Sequence, residues 1–306
     1  MKAAAPLVGS NSTAGLVLAL DKPEGPTSHD VVAHVRRAFR TRQVGHTGTL
    51  DPFATGLLLL CIGPATRLSE YLTGMDKEYE ATLRLGFATD TDDLSGTPLG
   101  EPAGWRGVDE TSIHAAFAAQ TGSLLQLPPL FSAKRVAGER AHERARRGEP
   151  VERTPVPVRV DDIRVLEIRL PDVRFAVECG SGTYIRSIAR DVGAELGAGA
   201  HLRQLRRLRV GPHRVDLAVT LDELDSPEAV QRGLMSPADA LRHLPRVAVG
   251  EDEEARILQG GRIAAPAGLA KGCAEGAPIV LVGSSGALRA VAELRDAALQ
   301  PRKVFA

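Results

Sequence analysis

The chain has 306 residues, 43% of them hydrophobic and 25% charged, with 38 Lys plus Arg balanced by 38 Asp plus Glu. That length supports one large core with a smaller one beside it, and the zero net charge gives by itself no sign of a nucleic-acid partner. No run approaches the roughly 18 to 20 apolar residues that span a bilayer, and the first twenty residues lack the basic start, apolar block and cleavage site of a secretory leader, so a cytoplasmic protein is expected.

In chain order, Gly15 to Leu20 reads as a buried strand, closed by the Pro- and Gly-rich turn Asp21-Lys22-Pro23-Glu24-Gly25-Pro26. Thr27-Ser28 is placed to cap a helix, in which Val31, Val32, Val35 and Phe39 recur at helical spacing with Arg36, Arg37 and Arg40 on the other side. A Gly-rich loop is expected from Val44 to Gly56, leading into an apolar run to Ile62. Lys77 to Gly86 alternates, with Tyr79, Ala81, Leu83 and Leu85 on one face of a half-buried strand. Residues 126 to 159, proline-rich at the ends and charged within, read as an excursion from the main body. Val173 to Val177 is a further strand, followed after Gly180-Ser181-Gly182-Thr183-Tyr184 by a helix from Ile185 to about Leu196. Beyond Leu244-Pro245, short apolar runs and Gly-rich turns predict a small β-rich domain, so the expected division is 1–243 and 244–306 within an α+β class.

Three features bear on chemistry. Basic residues gather at Arg36 to Arg42, Lys134 to Arg153 and Arg203 to Arg214; each cluster alone suits a solvated face, but three together point to a polyanion. The loop Gly45-His46-Thr47-Gly48-Thr49-Leu50-Asp51-Pro52-Phe53-Ala54-Thr55-Gly56 is built to present Asp51 and His46 into a cleft, though an Asp before Pro is also a common turn element. The cysteines, Cys61, Cys179 and Cys273, are too far apart for a disulfide framework or zinc site and suit buried thiols. Gly180-Ser181-Gly182 lacks the third glycine and downstream acid of a dinucleotide site. Asp90-Thr91-Asp92-Asp93 lacks the later ligands of a calcium loop, and no metal is expected.

The Asp51 loop resembles the signature of the TruB-type tRNA pseudouridine synthases. Further segments agree in the same order: Leu20-Asp21-Lys22-Pro23-Glu24-Gly25, Lys77-Glu78-Tyr79, Leu85-Gly86, Thr89-Asp90-Thr91-Asp92, Pro128-Pro129 with Ser132-Ala133, Gly182-Thr183-Tyr184-Ile185-Arg186, and His201 with Leu205-Arg206-Arg207. The resemblance covers about residues 15 to 225. It implies a mixed-sheet catalytic domain that isomerises uridine 55 in the TΨC arm of tRNA without a cofactor, acting as a monomer with no obligate protein partner. It implies that Asp51 is the essential carboxylate, Arg186 its active-site partner and Asp93 the acid that pairs with that arginine. Tyr79 would stack on the uracil and is a candidate for removing its C5 proton; Leu205 would cover the other face. His46 would keep the nucleotide extruded, Lys22 would brace the site, and Arg206 and Arg207 would meet the RNA backbone.

Residues 126 to 159 resemble the family's thumb. There Phe131 and His142 stand where tyrosine is usual, and Arg135 where lysine is. The tail from 244 resembles a PUA-like RNA-binding domain. Two other readings remain: a tRNA-binding chaperone without catalysis, and a guide-RNA-dependent synthase, which the thumb-like segment and small tail argue against.

Overall fold

The structure is a computed structural model that describes residues 14–102, 104–131, 135–136, 139–140 and 153–306. Most of the thumb-like segment, His142 included, lies outside these residues, as does the side chain of Arg135. The contacts divide the chain into two compact units, each assembled from separated stretches: one holds Met1–Leu50, Leu57–Thr73 and Gly211–Ala306, the other Asp51–Gly56 and Gly74–Val210. This division by contacts follows different boundaries from the expected split at residue 244.

In the first unit, the strand Leu16–Lys22 pairs with Leu234–Met235, and Val44–His46 pairs with the apolar run that ends at Ile62. The helix Ser28–Ala38 forms because Thr27 and Asp30 close a reciprocal capping box. Its Val31, Val32 and Val35 enter a core with Leu18, Leu20, Leu58, Leu60 and Ile62, leaving Arg36, Arg37 and Arg40 exposed. The expected Val44 to Gly56 loop is shorter than the sequence suggests. Both its ends are strand, since Val44 pairs with Ile62 and the strand Thr55–Ile62 begins before Gly56. The same unit carries a five-stranded sheet in the order Arg246–Ala248, Pro278–Val282, Leu288–Arg295, Ala298–Val304, Ile263–Ala264, closed by Ile257 of the helix Glu251–Leu258. This is the β-rich tail that the sequence predicts.

The second unit is built on antiparallel neighbours in the order Ala200–Val210, Lys77–Leu85, Asp172–Cys179, Val156–Arg169, Gly122–Gln126. Thr55 and Gly56 add to Ala200–Val210 in parallel, opposite Arg206 and Arg207, which makes the sheet mixed. The alternation read in Lys77–Leu85 is realised residue by residue, with odd positions from Lys77 to Leu85 buried and even ones half-exposed. The helices Glu110–Ala118 and Ile185–Glu195 supply Ile113, Phe117, Ile188 and Val192 to the core, and Phe117 meets Phe175 with ring centroids 4.8 Å apart. Cys61 and Cys179 are buried free thiols, while Cys273 is only partly buried. No helix among the described residues is long and apolar enough to cross a membrane.

Candidate active site

The second unit gathers Asp51, Tyr79, Asp93, Arg186, Leu205 and Arg207 from five separate stretches of chain. Arg186 lies in the first turn of Ile185–Glu195, where the helix dipole disfavours a cation, yet only 5% of it is exposed. Something must hold it, and its surroundings do. Nε donates to Asp51 Oδ2 at 3.0 Å and one terminal nitrogen to Asp51 Oδ1 at 3.3 Å, a two-pronged grip on one carboxylate. The other terminal nitrogen reaches Asp93 Oδ2 at 3.3 Å and the Thr91 carbonyl at 2.8 Å, and the first also reaches the Phe131 carbonyl at 2.9 Å. These contacts match in number the five N–H donors of a guanidinium.

The two carboxylates differ in access. The Asp51 side chain is 34% exposed, that of Asp93 5%. Asp93 is also held by the Ser95 N–H at 2.9 Å and the Thr91 hydroxyl at 2.8 Å, and its backbone bridges to Leu202. Asp93 therefore fixes the arginine, and Asp51 is the carboxylate that solvent or a substrate reaches. Neighbouring contacts repeat the design: Arg190 binds Asp92 at 2.9 Å and the Leu127 carbonyl at 2.9 Å. Burial pushes the Asp92 carboxyl up, opposed by Arg190. Gln126, 3% exposed, holds the start of the Arg186 helix by accepting from the Tyr184 N–H at 2.8 Å and donating to its carbonyl at 3.1 Å. Gln126, Thr91 and the Phe131 carbonyl were not singled out for this from sequence; their parts are played through backbone carbonyls, one hydroxyl and a lone amide, none of which marks such a role locally.

Tyr79 and Leu205 project from adjacent strands on one buried face, Leu205 opposite Ala81 and Tyr79 opposite Arg207. Burial pushes the Tyr79 phenol up, and the neighbouring Arg207 guanidinium, hydrogen-bonded to it, pulls it back. Lys22 and His46 belong to the first unit. Lys22 is fully buried at the end of Leu16–Lys22, with Nζ donating to the Pro23 carbonyl at 2.8 Å. His46 closes Val44–His46, accepts from the Gly48 N–H at 3.4 Å, and stands edge-on to His29 with centroids 5.7 Å apart. Leu50, the residue before Asp51, is pinned by Ser28, whose hydroxyl accepts from its N–H at 2.9 Å and donates to its carbonyl at 3.1 Å.

Arg206 and Arg207 differ in their surroundings, because consecutive residues of a strand point to opposite faces. Arg207 is 2% exposed and turned inward to Tyr79. The rest of that cluster is neutralised at home, Arg203 by Asp172, Arg209 by Glu78 and Glu178, and Arg214 by Asp216. Among the described residues no group of acidic, His and Cys side chains is arranged to hold a metal ion.

Comparison with known proteins follows the same lines. Residues 36–185 match the N-terminal domain of the TruB family pseudouridylate synthases, and residues 186–244 match the tRNA pseudouridylate synthase B C-terminal domain. The tRNA pseudouridine synthase B of Thermobifida fusca is 46% identical over 299 residues, 95% of this chain and 98% of that protein. Its counterpart in Burkholderia mallei is 40% identical over 293 residues, 94% of this chain and 96% of that protein. Among solved structures, a Cbf5-Nop10-Gar1 complex contains a chain that superposes with a TM-score of 0.75 at 28% identity, covering 96% of this chain and 86% of that one. With nearly full-length relatives at this identity, and a fold shared with a chain of the Cbf5-Nop10-Gar1 complex, the chain belongs to the TruB family of pseudouridylate synthases.

Proposed function

We propose that this enzyme converts uridine 55 in the TΨC loop of tRNA to pseudouridine, with Asp51 as the catalytic carboxylate. The observation that carries the reading is the grip of buried Arg186 on a carboxylate that is itself partly open to solvent. The bond from uracil N1 to ribose C1′ breaks, the base turns, and a bond from C5 to C1′ forms. Asp51 serves by attacking the ribose, by attacking the base, or by taking a ribose proton, and each role needs an ionised carboxylate. A guanidinium bound through two nitrogens favours that ionised form and holds its oxygens in one orientation.

The remaining groups follow from the same assignment. Tyr79 stacks on the uracil and takes the C5 proton, Leu205 covers the opposite face, and Asp93 keeps Arg186 in place. His46 holds the nucleotide out of its stack, which chemistry on a base requires. Lys22 braces the site, and Arg206 is retained as a contact to the RNA backbone. No step calls for a cofactor or a metal. The proposed organisation is a catalytic domain over 1–243, with the thumb at about 126–159 meeting the tRNA arm, and a PUA-like domain over 244–306 that adds contacts to RNA. The enzyme is proposed to act in the cytoplasm as a monomer without an obligate protein partner.

The test is to incubate purified protein with unmodified tRNA, without any guide RNA, and map pseudouridine along the chain. Conversion at position 55 alone, abolished by Asp51→Asn, supports the reading. Conversion elsewhere would refute the assignment of position 55, while a need for a guide RNA, or tRNA binding without any conversion, would replace the reading with the matching alternative.

A further inference from the structure

Arg207 is a buried cation outside the Arg186 network. Antiparallel register sets it directly opposite Tyr79, so the two side chains share one face of the sheet. Exposure is 2% for Arg207 and 8% for Tyr79, and the guanidinium hydrogen-bonds the phenol. On its other edge Arg207 is opposite Gly56 in parallel register. A Cβ added at Gly56 would lie 2.2 Å from the Arg207 carbonyl oxygen and 2.6 Å from its nitrogen, and Gly56 has φ of +103°, so only glycine admits this approach. The segment that starts at Asp51 thus ends packed on the backbone of the residue whose side chain holds Tyr79.

Burying a guanidinium costs more than burying an apolar side chain of similar size, and stability alone does not explain its presence beside a phenol. We propose that Arg207 is a positioning residue for the isomerisation: it donates to the Tyr79 oxygen, aims the phenol at the target base and favours the phenolate that accepts the C5 proton. This rests on the assignment of Tyr79 made above. In that step the C5–H bond breaks, its proton passes to the phenolate oxygen, its electron pair restores the C5–C6 double bond, and the C6–N1 double-bond pair moves to N1, which takes a proton from solvent. The phenol then returns the proton to solvent, and no oxidant or reductant is needed.

The other groups facing Tyr79 do not supply this cation. Asp51 and Cys179 act on the phenol in the opposite sense to Arg207. The Cys179 thiol is itself pushed up to about 11 by burial. Lys77, two residues away on Tyr79's own strand, is pulled down to about 8, first by burial and then by Arg207.

The experiment uses the full chain with Arg207→Met, Arg207→Lys, Tyr79→Phe and the Tyr79→Phe/Arg207→Met double variant. Single-turnover conversion at saturating tRNA is followed across about pH 7 to 10, the range below a free phenol's pKa. The phenol of Tyr79, one of three tyrosines in the chain, is titrated by ultraviolet difference absorbance with Tyr79→Phe as the blank. Arg207→Met is expected to slow conversion by about tenfold or more at the low end of that range, with a defect that shrinks as pH rises, and to move the Tyr79 titration upward. Arg207→Lys should restore part of both effects, and the double variant should be no slower than Tyr79→Phe. A loss equal at every pH with an unmoved titration would overturn the proposal, as would a double variant slower than Tyr79→Phe by the full single effect. If Arg207→Met does not fold, Arg207→Lys decides by the same titration. Near-normal conversion by Tyr79→Phe would refute the role of Tyr79 itself, whereas a dead Tyr79→Phe beside a harmless Arg207→Met refutes only the present inference.

Discussion

Replacing Arg186 with lysine keeps the charge and removes the fork. The guanidinium serves five acceptors: both oxygens of Asp51, Oδ2 of Asp93, and the carbonyls of Thr91 and Phe131. An ammonium has three donors, so at least two acceptors lose their partner. Each buried acceptor left unsatisfied costs about 1 to 3 kcal/mol, which puts the loss at roughly 2 to 6 kcal/mol if the stranded groups are the drier ones around Asp93. The lower end applies if water reaches the stranded group, as it does at the 34%-exposed Asp51 side chain. A point charge also cannot hold both Asp51 oxygens, so the carboxylate gains rotational freedom, and single-turnover conversion should fall by about a hundredfold or more. Urea unfolding reads the first effect, and release of tritium from uracil labelled at C5 reads the second. An Arg186→Lys enzyme within about twofold of wild type in rate, and unchanged in stability, would refute the claim that the fork orients Asp51.

Asp51→Asn keeps size and hydrogen bonding but removes the charge, so conversion should fall at least about a thousandfold while tRNA affinity measured by filter binding stays nearly intact. Lys77 is pulled down to about 8 by burial from its ordinary 10.5. Between those values the unfolded chain binds the additional proton, so this lysine penalises the fold fully below pH 8 and the penalty fades as pH rises to 10.5. Lys77→Met should therefore stabilise by about 1 to 3 kcal/mol at neutral pH, an advantage that disappears toward the upper limit in urea titrations. Arg37 and Arg40 are exposed on the first basic cluster. Replacing both with Gln should lower the slope of log affinity against log salt by about one to two, and an unchanged slope would remove that cluster from the RNA path.

What the sequence made legible was periodicity and order. Alternation in Lys77–Leu85 and the valine spacing of Ser28–Ala38 each encode a face, because one side of each element must be apolar. The pairing of Arg186 with Asp51 and Asp93 was reached only through resemblance, since the partners are 135 and 93 residues apart and nothing local links them. That Arg207 is buried within Leu205-Arg206-Arg207-Leu208-Arg209 was not legible, for a physical reason. Its charges interrupt the period of two, so composition reads it as a solvated stretch, while a phenol from another strand makes one inward arginine tolerable. Lys22, fully buried, was likewise visible as a residue but not as a buried one.

Phe131 departs from the tyrosine that the resemblance leads one to expect, and Arg186 reaches it through its carbonyl at 2.9 Å. A backbone oxygen survives every side-chain substitution, so the joint between the catalytic arginine and the chain that continues past residue 131 is invisible to mutation at that position. The reverse also holds: any event that turns the peptide plane at 131 takes away one of Arg186's acceptors. Variation is tolerated in the side chains while posture is monitored through the main chain.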